Sequence, residues 1–141
     1  MRLLLVLLVL LIMSTIFYFS SIPDLHFIDH EALPAWLKSW INQYSLKLGG
    51  EGFFSYTLSL HPDFILHKLG HIALYGLLGS CLFLATNRSV GWSVFLTIIF
   101  AVSDELHQGY VPGRSSRFGD VALDVAAAVL SILLIRKLRQ K

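Results

Sequence analysis

Apolar residues fill four long stretches of the chain, Leu3–Phe19, Phe64–Ala85, Val90–Val102 and Val121–Ile135, with polar residues gathered between them. A helix rises about 1.5 Å per residue, so about 20 residues cross the roughly 30 Å hydrocarbon core of a bilayer. The second stretch has that length, and the first reaches it with its flanks. The third and fourth reach it only by running into the polar segment SDELHQGYVPGRSSRFGD, to about His107 and back to about Asp120. The pattern predicts an all-α four-helix membrane bundle, 1–141, with spans at about 2–20, 64–86, 90–108 and 118–136 and an outer segment over 21–63.

The outer segment has its own periodicity. Leu33, Trp36, Leu37, Trp40, Ile41, Tyr44 and Leu48 recur at three- and four-residue spacing, giving one apolar helical face, with Glu31 and Pro34 suited to its start. Tryptophan and tyrosine on such a face suit the headgroup boundary, so an amphipathic helix at the outer interface is expected. The same face would equally serve a helix docked on the bundle without lipid contact. The stretch GGEGF, Gly49–Phe53, reads as a flexible break after it.

Composition supports the membrane reading. The chain of 141 residues is 55% hydrophobic and 14% charged, against about a quarter charged in a soluble domain. The start, Arg2 followed by LLLVLLVLLIM, resembles a secretory signal, but bulky Phe17, Tyr18 and Phe19 and the lack of an A-x-A site favour an uncleaved anchor. Cys81 stands alone and cannot pair within the chain.

Lys and Arg favour the cytoplasmic side. Arg2, Arg88 in the Asn87-Arg88 turn and the tail residues Arg136, Lys137, Arg139 and Lys141 share one end of a four-span topology, whereas 21–63 is mainly acidic. Both termini are therefore expected in the cytoplasm of a bacterium, with 21–63 outside its cytoplasmic membrane. Arg114 and Arg117 then fall outside, against the trend.

On that topology the ionisable residues converge. His67, His71, Tyr75 and Gly79 recur every four residues in the second span, beside Lys68. Asp104, His107 and Gln108 share a face near the end of the third, with Glu105 about 100° away. Pro112-Gly113 supplies turn chemistry and presents Arg114, and Asp120 and Asp124 stack one turn apart in the fourth span. Ionisable side chains within a bilayer cost several kcal/mol unless paired or hydrated. The inexpensive arrangement turns these stripes together into an outward-facing polar pocket, closed beneath by Ser80, Cys81, Phe83 and the alanines after Asp124. A plain alternative is a buried structural network, such as Lys68 with Asp120 and Arg114 with Glu105. His26, His30 and His61 read as solvated loop histidines, Arg117 as a surface or headgroup contact, and Asp124 as a satisfied core residue.

The run HKLGH…Y, then SDELHQGYVPGR, then Asp120, resembles the VanZ-like family of small bacterial membrane proteins. The pattern falls on Lys68, His71, Tyr75, Asp104, Glu105, His107, Gln108, Pro112, Gly113, Arg114 and Asp120, nearly the whole chain in helix order. Asp124 stands where the family pattern leads one to expect Asn. The resemblance implies an integral envelope protein of a family linked by name to teicoplanin resistance, and leaves the reaction open.

Three classes of function fit these residues. An enzyme on an envelope lipid headgroup would bind phosphate through Lys68 and Arg114, with Tyr75 and Gln108 as further substrate contacts. His71 or His107 would act as base or nucleophile, oriented by Asp104 or Asp120, and Glu105 as general acid or base. A divalent metal would draw on His67, His71, His107 and Asp120, a weak pattern because no Glu flanks the histidine pair. A non-catalytic binder of an envelope lipid or a glycopeptide-related ligand would use the same groups. A proton-coupled transporter subunit fits least, because the inner halves of the spans lack charged residues. Membrane lipids are the expected surroundings and no nucleic-acid partner is expected. Gly76, Gly79 and Ser80 would serve helix contacts within or between subunits, leaving oligomeric state open.

Overall fold

The computed structural model describes residues 2–28, 33–48, 53–54 and 56–140. Four long helices carry the apolar stretches: α1 (Arg2–Ser20), α3 (Pro62–Ala85), α4 (Val90–Gln108) and α5 (Phe118–Leu138). Each is long and apolar enough to cross a membrane. α4 ends at Gln108 and α5 begins at Phe118, so both spans gain their length from the polar segment. Between α1 and α3 lie α2 (Ala35–Tyr44) and two short strands, β1 (Leu46–Leu48) and β2 (Tyr56–Leu58).

The centre of the bundle is α3, which packs on α1, α4 and, most extensively, α5. Small residues allow that last approach. A Cβ on Gly79 would lie 2.6 Å from Ala128 Cβ and 2.9 Å from Ala128 Cα, so the two backbones are nearly in contact. Tyr75, Leu78, Ala128 and Ile132 are fully buried around this seam, and Val9, Ile12 and Ile16 supply the α1 side of the core. Most remaining apolar side chains of the four helices face outward, including Leu3, Leu7, Leu10, Phe95, Ile99, Leu130 and Leu134. That pattern is normal for surfaces solvated by lipid.

The two ends of the bundle differ. At one, Arg2 Nη2 donates to Asn87 Oδ1 at 2.5 Å, joining the start of α1 to the turn between α3 and α4. Asn87 and Arg88 both have positive φ, as a tight turn there requires. The basic residues Arg136 and Lys137 at the end of α5 share this end. At the other end, Arg114 N donates to Val111 O at 3.1 Å, with Gly113 at φ 74, so Val111–Arg114 has the pattern of a type II turn. A Cβ on Gly113 would overlap the Asp24 carboxylate, which gives this glycine a second reason besides its φ.

The outer segment departs from the expected long amphipathic helix in one respect. α2 stops at Tyr44, with Ser45 extended, and Leu48 leaves the helical face to join a hairpin. Leu46 pairs with Leu58 and Leu48 with Tyr56 across the expected break at Gly49–Phe53, of which 49–52 lie outside the described residues. Glu31 and His30 lie outside them too. Phe118 N donates to Phe53 O at 2.7 Å, and the Phe53, Phe54 and Phe118 rings cluster, anchoring the segment to the start of α5. On α2, Ile41 is buried while Trp36, Trp40 and Tyr44 are exposed along one stripe. Inward aliphatic and outward aromatic residues are the distribution expected at a headgroup boundary.

Candidate functional site

A cavity of about 860 Å³ opens at the polar end, between the starts of α3 and α5, the α4–α5 turn and the segment after α1. Its wall carries Lys68, His67, His71, Gln108, Arg114 and Asp120. Lys68 and Asp120 form a direct ion pair across the α3–α5 interface, both nearly buried. One turn deeper, His71 Nδ1 lies 3.1 Å from both oxygens of Asp124. A carboxylate accepts, so Nδ1 carries the proton and Nε2 is the ring atom left for the cavity. Asp124 is therefore the residue that orients His71, rather than Asp104 or Asp120, and its buried position one turn beyond Asp120 serves that contact.

Beneath this wall is a supporting layer. Gln108 Nε2 donates to Ser20 Oγ and to Asp104 Oδ2, both at 3.1 Å, and the Tyr75 hydroxyl donates to the same Asp104 oxygen at 3.2 Å. This chain ties α1, α4 and α3 together. It makes Tyr75 and Asp104 buried braces outside the lining of this cavity, with Tyr75 also bordering a smaller neighbouring one. Glu105 Oε1 accepts the backbone N–H of Arg117 at 2.5 Å, holding the start of α5. Its other oxygen and Asp104 Oδ1 have no hydrogen-bond partner among the described residues.

His107 stands apart from the cavity lining. It stacks on Phe17 with ring centroids 4.4 Å apart, and its Nε2 meets Ser21 Oγ at 3.0 Å. The helical face shared by Asp104, His107 and Gln108 is thus turned toward the outer end of α1, a helix that the polar pattern did not implicate because Ser20 and Ser21 carry no charge. His61 is not a free loop residue: its ring accepts from Asp63 N at 3.2 Å as the cap of α3. His26, though exposed, meets Asp63 Oδ2 at 3.1 Å. Asp63 also accepts from Phe27 N and Ile28 N, at 2.6 and 3.1 Å, fastening the outer segment over the cavity. Sequence reading passed over Asp63, whose only signal is a carboxylate in a helical first turn.

The four metal candidates do not converge. His67 Nε2 donates to Leu25 O at 2.8 Å, His71 faces Asp124, Asp120 faces Lys68 and His107 faces Ser21. Among the described residues no group of three His, Cys, Asp or Glu side chains is placed to hold a metal ion.

Among the described residues Arg114 has no ion-pair partner on the cavity wall. Its Nε is buried without a hydrogen-bond partner, and no carboxylate among the described residues lies in ion-pair range. Burial pushes its pKa down, while Asp104, Glu105, Asp120 and Asp63 at longer range pull it back up. A guanidinium stays charged under such shifts.

The VanZ/LLP1 family model matches residues 5–139, nearly the whole chain. The chain belongs to the VanZ/LLP1 family. With four apolar spans it is a multi-pass membrane protein of that family. No curated protein and no solved structure matches it. The VanZ-like motif divides by position. Lys68, His71, Gln108, Arg114 and Asp120 face the cavity, Tyr75, Asp104 and Glu105 brace it, and His107 clamps α4 to α1.

Proposed function

We propose that this VanZ-like protein binds the phosphate-bearing headgroup of a cell-envelope lipid in the cavity and that His71 acts there as general base. The observation that carries the reading is Arg114: a half-buried guanidinium on the cavity wall with no carboxylate among the described residues in ion-pair range. Arginine recognises phosphate oxygens through two parallel N–H donors and would stabilise charge developing on them. Lys68 is already neutralised by Asp120, so it adds a local dipole and a second donor more than a net charge. In hydrolysis, His71 Nε2 takes the proton of the attacking water, the oxygen bonds to phosphorus, and the leaving oxygen receives the proton from His71 as its bond breaks. Asp124 holds the ring and stabilises the imidazolium between the two transfers.

The positive-inside tendency supports an orientation with both termini in the bacterial cytoplasm and the cavity facing outward, where lipid-linked wall precursors and glycopeptides such as teicoplanin meet the membrane. A non-catalytic binder of such a headgroup or glycopeptide is the competing reading. It draws on the same Arg114 and on the self-contained Lys68–Asp120 and His71–Asp124 pairs, which need no chemistry to be stable.

The test uses full-length protein in nanodiscs doped with phosphatidic acid and with phosphatidylglycerol, followed for released headgroup and for lipid retained on purification. Arg114→Ala should lose both signals. His71→Gln should retain lipid and lose turnover. Turnover that survives His71→Gln sinks the catalytic role, and lipid retention that survives Arg114→Ala sinks the site.

A further inference from the structure

A second cavity of about 210 Å³ lies beside the first, between α1 and α3. Its walls are mainly apolar, built from Ile16 and Phe19 of α1 and Leu66, Gly70 and Leu74 of α3, with Ser20 and Tyr75 also lining it. Phe19 and Leu66 are exposed on the lipid-facing surface of their helices, so the slot opens sideways toward the bilayer. It is continuous with the polar cavity, because Leu25, Phe27, His67, His71 and Arg114 line both. Arg114 and the two histidines thus mark a border, polar on one side and hydrocarbon on the other.

Gly70 makes the slot what it is. It lies mid-helix, where glycine costs stability relative to alanine, and a Cβ there would meet nothing within 4 Å. It therefore differs from Gly76 and Gly79, whose missing side chains let α5 approach. The space beside Gly70 is open, apolar and at membrane depth.

We propose that this slot holds the hydrocarbon chain of the lipid whose phosphate headgroup lies in the polar cavity, and that the lipid enters sideways from the bilayer between α1 and α3. The proposal rests on the headgroup reading above and deepens it: the substrate is an amphiphile drawn from the membrane, and a free water-soluble phosphate ester is a poor one. Two features select this occupant. The slot has mainly apolar walls at membrane depth, and His71 and Arg114, assigned to the headgroup, stand on the wall it shares with the polar cavity. Chain and phosphate are then bound as one molecule across the Arg114 border.

The experiment measures binding of dodecyl phosphate and of methyl phosphate to full-length protein in phosphatidylcholine nanodiscs, for wild type, Gly70→Leu and Arg114→Ala. Gly70→Leu adds apolar bulk to the slot while every polar side chain of the site is kept, and Gly70→Ala serves as the milder step if the leucine variant does not fold. Partitioning of dodecyl phosphate into the bilayer is common to all variants, so the ratio to wild type reports the protein. The expected result is a loss of about tenfold or more in dodecyl phosphate affinity with Gly70→Leu, methyl phosphate binding unchanged, and loss of both ligands with Arg114→Ala. Unchanged dodecyl phosphate affinity in Gly70→Leu, with methyl phosphate still bound, overturns the chain slot and leaves the headgroup site standing. Failure of wild type to bind either phosphate overturns the headgroup reading and this proposal with it.

Discussion

His71 and Asp124 face each other across the α3–α5 seam, with Nδ1 3.1 Å from both carboxylate oxygens. The carboxylate is buried and the ring is at the cavity wall, so the pair carries orientation from the core to the site. Asp124→Asn keeps an acceptor for Nδ1 and removes the charge that balances a protonated ring. Headgroup turnover is expected to fall about a hundredfold, within the usual range for general acid–base help, with lipid retention unchanged. Equal turnover in the variant and wild type would separate Asp124 from the chemistry.

Arg114 gives a pH dependence whose sign follows from burial. Desolvation lowers the pKa of a base at this position. Arginine stays charged throughout the working range, whereas lysine begins at about 10.4, so the same burial brings its proton loss down toward working pH. Phosphate binding by wild type should therefore be flat with respect to this group from about pH 6 to about pH 9. Binding by Arg114→Lys should be weaker and should decline as pH rises, because the cation is lost earlier than in free lysine. Parallel curves for the two proteins, by titration calorimetry, would show that position 114 does not carry the charge.

The α3–α5 seam predicts unequal costs for adding one methyl group. Gly79→Ala places a Cβ 2.6 Å from Ala128 Cβ and 2.9 Å from its Cα, and backbone cannot yield. Overpacking of this kind costs about 1–3 kcal/mol. Gly76→Ala meets Ser131 Oγ at 2.9 Å, a side chain free to rotate, and should cost less. Gly70→Ala meets nothing and should be neutral or slightly stabilising. Thermal unfolding in detergent that did not rank the three in this order would contradict the packing.

Orientation is open to labelling. In a Cys81→Ser background, a cysteine at the exposed Ser115 should react with a membrane-impermeant maleimide in intact cells. One at the exposed Arg88 should react only after permeabilisation. The reverse pattern would put the cavity in the cytoplasm.

The sequence by itself determined the spans and much of the site. Four apolar runs can be solvated only by lipid or by one another, and α4 and α5 had to borrow polar residues to reach membrane length, which drew Asp104 through Asp120 to one end. The four-residue recurrence of His67, His71 and Tyr75 put them on one stripe of α3, and Pro112-Gly113 fixed the turn that carries Arg114. These are local properties, set by helical period and by backbone sterics. The pairing of side chains was decided only in three dimensions. Which carboxylate meets His71, whether Glu105 faces the cavity or caps α5, and that His107 turns away to Phe17 and Ser21 all depend on how the helices are rotated about their axes. That rotation is fixed by the small-residue seam at Gly79 and Ala128 and by the uncharged serines at the end of α1. Neither leaves a charge pattern to read. The hairpin of Leu46–Leu48 with Tyr56–Leu58 was hidden for a similar reason: three-residue strands are held by pairing with each other and carry too few residues to show a period.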